Sequence, residues 1–298
     1  MRKKICIMGM ILAVLLLTGC GQQQETASES QPQQEATEAA ENAAQKSQEA
    51  ERQPYVVAAD DLGNLQLADA QTPVYDKYTL AERRAKGLAT AWPEISPWRE
   101  GKVAYLTFDD GPEDKNTPAI LAILQEAGVK ATFYVLGRSA EAYPDILKQI
   151  FEQGHAIGNH SYDHDYGRLY SSVGSYMAEM EQADEAIYGV LGVRPLITRA
   201  PGGRMGHFTQ EYLSALMGNG YVEHDWNVSS ADTAPGNPVA QDFIDNIEGQ
   251  ATTDSAIILM HCSAGHEETV KALPRIIQVL REKGYSFGVV TPMTPQPY

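Results

Sequence analysis

From residue 102 to the end of the chain, short apolar runs alternate with longer amphipathic stretches. The first run, residues 103–108, alternates β-favouring side chains and ends in Asp-Asp-Gly-Pro, which predicts a buried strand followed by a tight turn. Six further runs of this kind predict strands at residues 131–136, 156–160, 196–199, 221–226, 256–261 and 285–290.

The amphipathic stretches predict helices at residues 117–127, 141–153, 175–191, 209–219, 238–250 and 267–283. Glycine follows several of them at the position that C-terminal caps favour, as Gly128, Gly154, Gly220 and Gly284 do. Seven strands separated by helices predict a parallel α/β sheet. Closed on itself, the sheet is an incomplete relative of the eight-stranded barrel; left open, it is a doubly wound sheet.

The first 54 residues are predicted to lie outside the fold. Basic residues precede an apolar run at 5–17 that is short for a membrane span, so residues 1–19 are typical of an export signal. Leu17-Thr-Gly-Cys20 resembles the lipobox of bacterial lipoproteins, which implies a lipidated Cys20 on the outer face of the cell membrane. An ordinary cleaved signal with Cys20 as a thiol is the alternative. Residues 20–54, rich in Gln, Glu, Ala and Ser, predict a disordered tether.

Residues 55–101 are the least regular part and predict an N-terminal extension that packs on the main domain, residues 102–298. Only residues 79–88 have a clear N-cap and helical spacing there. No function is assigned to this extension.

Composition narrows the functional classes. The chain has 298 residues, 43% of them hydrophobic, which suffices for a large core. The formal net charge of -16 argues against nucleic acid as a partner and favours a neutral or cationic substrate. Of three cysteines, Cys6 leaves with the signal and Cys20 is lipidated, so Cys262 has no partner for a disulfide and is expected to be a small core residue.

Polar residues follow most of the predicted strands. Chemistry in α/β barrels collects at the C-terminal ends of strands, so this distribution favours a barrel with one site at its rim. Asp109 and Asp110 end the first strand. Because adjacent residues there point in opposite directions, one carboxylate can bind a metal while the other moves a proton. Ordinary turn chemistry is the alternative for this pair.

His160 and His164 are four residues apart, a spacing that on a helical turn places both on one face. Together with a carboxylate from the first strand, they form a set of two His and one Asp that leaves positions open for water and substrate. Such a set suits zinc, although cobalt, nickel or iron could also bind. A structural or surface role is the alternative for the histidines.

Arg199 and His261 also stand at strand ends. The guanidinium of Arg199 can hold a carboxylate bidentately and keep it ionised, with a structural salt bridge as the alternative. His261 titrates near neutrality, as a general acid must. Trp226 and Leu259 are either core or part of the substrate wall. No role is assigned to the remaining histidines of the main domain, His155, His207, His224 and His266.

Taken together, these residues resemble the polysaccharide deacetylase family, the NodB-like family 4 carbohydrate esterases. The matching motifs, in the family's order, are Thr107-Phe-Asp-Asp-Gly-Pro, His160-Ser-Tyr-Asp-His164, Arg199-Ala-Pro and Leu259-Met-His261. The resemblance implies a distorted seven-stranded (β/α) barrel that hydrolyses acetyl groups of polysaccharides. The roles it implies are Asp110, His160 and His164 as metal ligands, Asp109 as base, His261 as acid and Arg199 as the residue orienting the base.

Two motifs depart from the family pattern. Gly202 stands where the family often has an aromatic residue, so that wall of the groove is missing, although the Gly202 amide can still donate to the oxyanion. The fourth motif, commonly Asp-x-x-Asp-Trp, reads Ser-Ser-Ala-Asp232-Thr. Either Asp232 or Asp225 is therefore expected to tune His261.

The predicted function is removal of N-acetyl groups from N-acetylglucosamine in peptidoglycan, the nearest acetylated polymer to a wall-proximal lipoprotein. Chitin oligomers, an exopolysaccharide and acetylxylan are alternative substrates, and a monomer is expected. A non-catalytic glycan-binding lipoprotein is the alternative from another class. It has the altered fourth motif in its favour and the presence of Asp109 and His261 against it.

Overall fold

A computed structural model describes residues 55–58, 70–90 and 101–297. The predicted signal, Cys20 and the tether lie outside the described residues. Everything described belongs to one compact unit, Gln53–Tyr298. Within these three ranges no helix combines the length and the apolar character needed to cross a bilayer.

The strands of the described residues, in chain order, are β1 (Val56–Ala58), β2 (Val74–Asp76), β3 (Lys102–Gly111), β4 (Thr132–Val135), β5 (Ala156–Asn159), β6 (Arg194–Pro195), β7 (Ile197–Thr198), β8 (Val222–Glu223), β9 (Val228–Ser229), β10 (Ser255–His261) and β11 (Tyr285–Gly288). The helices are α1 (Leu80–Lys86), α2 (Asn116–Ala127), α3 (Gly137–Ala142), α4 (Pro144–Glu152), α5 (Tyr166–Leu169), α6 (Val173–Leu191), α7 (Gln210–Gly218), α8 (Ala240–Gln250) and α9 (Glu267–Glu282).

The main sheet is parallel throughout, in the order β8-β7-β5-β4-β3-β10-β9, and β11 pairs with the first half of β3. The sheet therefore has eight strands. Seven of them, in the order just given, form a curled half-barrel whose two end strands, β8 and β9, are neighbours in sequence, and β11 is the eighth. This arrangement confirms the predicted distorted barrel over the doubly wound sheet. All seven predicted strands are present, although β7 and β8 are only two residues long, and one short strand, β9, is added to the sheet.

One of the predicted helices is wrong, because the structure has two shorter helices in its place. Residues 141–153 are divided between α3 and α4, which are separated by Tyr143. Pro144 starts α4 because proline fits the first turn of a helix, where its missing N–H is not needed.

The central strand, β3, supplies both sides of the core. Since successive strand residues face opposite sides, Leu106 and Phe108 pack between sheet and helices, whereas Val103 and Tyr105 pack inside the half-barrel. Its centre is buried on both faces, as in parallel sheets generally. The strand therefore holds its C-terminal carboxylates on a rigid support.

Parts of the N-terminal extension pack on this barrel. β1 pairs with β2, and β2 pairs antiparallel with β6, which gives a small second sheet. Tyr75 of β2 is 1% exposed; its hydroxyl donates to the carbonyl of His155 (3.1 Å) and accepts from the N–H of Ile157 (3.0 Å). The extension thus satisfies backbone groups at the start of β5.

We expect Tyr75→Phe to lower the free energy of unfolding by about 1–3 kcal/mol, because it leaves the N–H of Ile157 and the carbonyl of His155 without their partner. Denaturant unfolding measures this change. Tyr188→Phe, at an exposed tyrosine of α6, is the matched control and should unfold like the wild type. An unchanged unfolding midpoint for Tyr75→Phe would contradict this role of the extension.

Candidate active site

The functional candidates meet at the C-terminal rim of the half-barrel. The parallel register of β10 on β3 places His261 beside Asp109. Arg199 follows β7, and its N–H donates to the carbonyl of Asn159, the residue that precedes His160. Because all these strands run in one direction, their polar ends form a single site, as predicted.

Asp110, His160 and His164 form a group suited to a metal ion. Oδ1 of Asp110 lies 3.5 Å from Nε2 of each histidine, and the three ligand atoms all lie within 4.8 Å of one another. This oxygen is buried and has no hydrogen-bond partner among the described residues. A buried carboxylate oxygen that faces two imidazole nitrogens is the environment a cation would satisfy.

The protonation of the two histidines also fits coordination. Nδ1 of His160 lies 2.8 Å from the carbonyl of Arg199, so Nδ1–H donates there and the lone pair of Nε2 points to the shared centre. Burial, together with the neighbouring His160, lowers the pKa of His164. A neutral imidazole is the form that binds a metal.

The predicted helical turn between His160 and His164 is wrong. Ser161 and His164 have φ of 73° and 64°, in the left-handed region, so the segment is a loop. The side chain of Asn159 accepts from the Ser161 N–H (3.0 Å), and the Ser161 hydroxyl accepts from the His164 N–H (3.2 Å). This folded loop brings the two ring centroids to 5.3 Å, so the prediction that they come together holds by a different geometry.

The two adjacent acids face different surroundings. The β3–β4 register shifts between Asp109 and Gly111, and Asp110 has a φ of 71°. Asp109 is 2% exposed: its Oδ1 accepts from Nη1 of Arg199 (3.0 Å), and its Oδ2 lies 3.7 Å from Nε2 of His160. One oxygen of Asp109 is therefore held by a cation, while the other is directed to the metal group.

Arg199 contacts Asp109 through one nitrogen, not bidentately as predicted. Its Nη1 also donates to the hydroxyl of Thr107 (2.6 Å), and its Nε donates to the carbonyl of His224 (3.0 Å). The guanidinium is fully buried and lies 4.2 Å from the ring centroid of Tyr134. These contacts hold the positively charged guanidinium of Arg199 in one position beside Asp109. The sequence pattern assigns no role to Thr107 or Tyr134. Alternation along β3 does indicate Thr107, because it faces the same side of the strand as Asp109.

Asp232, not Asp225, contacts His261. Its Oδ1 lies 2.9 Å from Nδ1 of His261, and its Oδ2 accepts from the N–H of His261 (2.7 Å) and the hydroxyl of Thr269 (2.9 Å). Asp225 instead lies 3.6 Å from the guanidinium of Arg204.

A second group of side chains, Asp232, His261 and His266, is also close enough to hold an ion. Both oxygens of Asp232 already accept hydrogen bonds, however.

The contact with Asp232 sets the charge of His261. Burial alone would lower the pKa of His261, but the hydrogen bond and charge of Asp232, together with the charges of Asp109 and Asp110, raise this pKa to about 9. The imidazole is therefore protonated at neutral pH. It has a proton to give to a leaving group.

A general acid works only while it is protonated, so a reaction in which His261 is the acid should slow as pH rises through the pKa of His261. We expect Asp232→Asn to move this basic limb of the pH–rate profile down by about 1–3 pH units, because it removes the negative charge that stabilises the imidazolium. Asp225→Asn is the matched control and should leave the limb in place. A limb that moves in the control but not in Asp232→Asn would contradict the assignment.

The predicted substrate-facing residues differ in exposure. Leu259 is buried, and Trp226 is partly buried against the inner core, 5.7 Å from the guanidinium of Arg199. Gly202 has a φ of 75°, and a Cβ at this position would lie 2.6 Å from the hydroxyl of Tyr166. Cys262 is a buried free thiol, as predicted.

Comparison with known proteins agrees with this geometry. The model of the polysaccharide deacetylase family matches residues 98–221. The chain is 36% identical to a peptidoglycan-N-acetylglucosamine deacetylase of Bacillus cereus, over 63% of this chain and 69% of that protein. The structure resembles polysaccharide deacetylase Bc1974 of Bacillus cereus (TM-score 0.59, 35% identity, 63% of this chain, 92% of that one). It also resembles the catalytic domain of a peptidoglycan N-acetylglucosamine deacetylase from Eubacterium rectale (TM-score 0.62, 29% identity, 68% of this chain, 94% of that one).

Proposed function

This chain belongs to the polysaccharide deacetylase family of hydrolases, the family 4 carbohydrate esterases, and on that premise we propose that it removes N-acetyl groups from N-acetylglucosamine residues of peptidoglycan. The observation that carries the proposal is the position of Asp109 between the Asp110-His160-His164 group and His261. Relatives named as peptidoglycan deacetylases support this choice of polymer.

We propose that Asp110, His160 and His164 hold a divalent cation, with Zn²⁺ favoured by the two nitrogens and one oxygen and Co²⁺ as an alternative. The unpartnered oxygen of Asp110 and the fixed tautomer of His160 support this assignment. When bound, such a cation polarises the acetyl carbonyl and lowers the pKa of a water molecule.

The side chains around this centre divide the proton transfers between them. Arg199 holds Oδ1 of Asp109 by a hydrogen bond, which leaves Oδ2 to take the proton of the attacking water. The Gly202 amide donates to the oxyanion that forms on the acetyl group. As the C–N bond breaks, Nε2–H of His261 gives its proton to the amine, while Asp232 holds Nδ1–H. Trp226 and Leu259 complete the wall of the groove.

We also place the protein outside the cytoplasm, as a monomer held on the outer face of a bacterial cell membrane by a lipid on Cys20. The lipobox-like segment that ends at Cys20 supports this location. Residues 20–54 would let the barrel reach the cell wall. In this proposal the lipid anchor on Cys20 is the protein's only contact with the membrane.

Release of acetate tests the proposed reaction. The metal-replete protein is incubated with N-acetylated peptidoglycan, chitin oligomers and acetylxylan, with Asp109→Asn as the inactive control. We expect acetate from wild type and most rapidly from peptidoglycan. No acetate from any of the glycans would contradict the proposal, and a preference for acetylxylan would change the substrate class.

The alternative of a non-catalytic glycan-binding protein loses its main support in the structure. That support was the altered fourth motif, which left His261 without an assigned carboxylate. In the structure Asp232 is the carboxylate that contacts His261, and its oxygens take part in three hydrogen bonds. An acid that is held in this way favours catalysis.

A further inference from the structure

An aromatic side chain without an assigned role lies on the rim of the metal group. Tyr166 begins α5, two residues after His164, and is 45% exposed. Its ring centroid lies 5.1 Å from that of His164, with the rings nearly perpendicular. A large aromatic ring that is open to solvent beside a buried polar site can contact a ligand bound there.

Other residues hold Tyr166 in place. The side chain of Asp165 accepts from the Arg168 N–H (3.1 Å) and so caps α5. The ring of Tyr166 packs against Tyr170 and His207, with centroids 5.9 and 5.8 Å away, and these two rings stack on each other at 4.2 Å. An aromatic surface that is already fixed loses little conformational entropy when a ligand binds.

Tyr166 takes the space that a side chain at position 202 would use. A Cβ on Gly202 would lie 2.6 Å from Oη, 3.1 Å from Cε1 and 3.2 Å from Cζ of Tyr166. The hydroxyl of Tyr170 donates to the carbonyl of Pro201 (2.7 Å), which ties the same aromatic group to this loop. An aromatic wall therefore stands beside Gly202, although it comes from α5.

We propose that Tyr166 positions the substrate by packing against the apolar face of the pyranose ring that carries the acetamide. The C–H groups on one face of such a ring are apolar and suit an aromatic surface, while the acetamide extends to the metal group. This inference rests on the proposed function. It assigns Tyr166 a role in binding the sugar and no part in the proton transfers.

The test compares Tyr166→Ala, Tyr166→Phe and the control Tyr188→Ala, which changes an exposed tyrosine of α6 that packs on Arg194. For Tyr166→Ala we expect KM and Kd for a tetramer of N-acetylglucosamine to rise about two- to twelvefold, the range of a lost aromatic contact. Turnover of p-nitrophenyl acetate, which has no sugar ring, and affinity for Zn²⁺ should stay at wild-type values. Tyr166→Phe and Tyr188→Ala should bind the tetramer like wild type.

Several results would overturn the proposal. Unchanged KM and Kd for the tetramer in Tyr166→Ala would show that the ring does not contact the sugar. An equal loss with p-nitrophenyl acetate, or weaker Zn²⁺ binding, would show that Tyr166 acts through His164. If wild type releases no acetate, the proposed function fails, whereas the comparison of Kd values still decides the role of Tyr166.

Discussion

Replacing Asp109 with Asn should nearly abolish acetate release while Zn²⁺ still binds at the proposed metal site. Asn has nearly the same shape as Asp but cannot take a proton from water, and general-base catalysis contributes about 10²–10⁴-fold to a rate. The proposed metal ligands Asp110, His160 and His164 are unchanged. We expect kcat to fall by about this factor, as measured by acetate release, with an unchanged affinity for Zn²⁺ in a competition titration.

The matched control is Asp145→Asn, the same substitution at an exposed acid of α4 that lies 3.8 Å from Lys148. It should leave both kcat and metal affinity unchanged. Near-wild-type turnover in Asp109→Asn would show that another group is the base. Loss of the metal in Asp109→Asn would show that Asp109 is itself a ligand.

His160→Ala should lose both metal binding and turnover. The substitution removes Nε2 from the ligand group and also the hydrogen bond to the carbonyl of Arg199. Since loss of an outer partner of a ligand alone costs about 10–100-fold in metal affinity, we expect removal of the ligand itself to cost more than about 100-fold. A chelator-competition titration with Zn²⁺, followed by an acetate assay, measures both effects.

His155→Asn provides the control. His155 is a buried histidine that comes just before β5, whereas His160 comes just after it, so the two lie at opposite ends of this strand. Burial lowers the pKa of His155 to about 3, so it is neutral, and its Nδ1 accepts from the N–H of Ala131 (3.1 Å). We expect this variant to keep its affinity for Zn²⁺. Tight Zn²⁺ binding in His160→Ala would contradict the ligand set.

Much of the site could be predicted because it depends on a simple geometric rule. The alternation along β3 identifies a buried strand, and the polar residues that end β3, β5, β7 and β10 must meet if the strands are parallel. This rule alone identifies Asp109, Asp110, His160 and His261 as site residues. The rule requires the direction of each strand and not its exact register.

The details that could not be predicted depend on contacts between distant segments. Asp232 reaches His261 across 29 residues, from a loop in which Ala231 has a φ of 61°. Arg199 contacts Asp109 through one nitrogen because its other nitrogens donate to the carbonyls of His224 and Asp225, just after β8. Spacing within the sequence determines neither arrangement. The sequence does not indicate Tyr166 for the same reason. Its role depends on its position beside Gly202, which only the fold establishes.

The most direct test of the account is the position of a bound ion. Crystals of the protein grown with Zn²⁺ can be measured at the zinc absorption edge, where anomalous scattering locates the metal. We predict one strong peak between Oδ1 of Asp110 and Nε2 of His160 and His164, with Asp109 beside the ion but not bound to it. A peak at Asp232, His261 and His266, or no peak at the rim, would contradict the central claim.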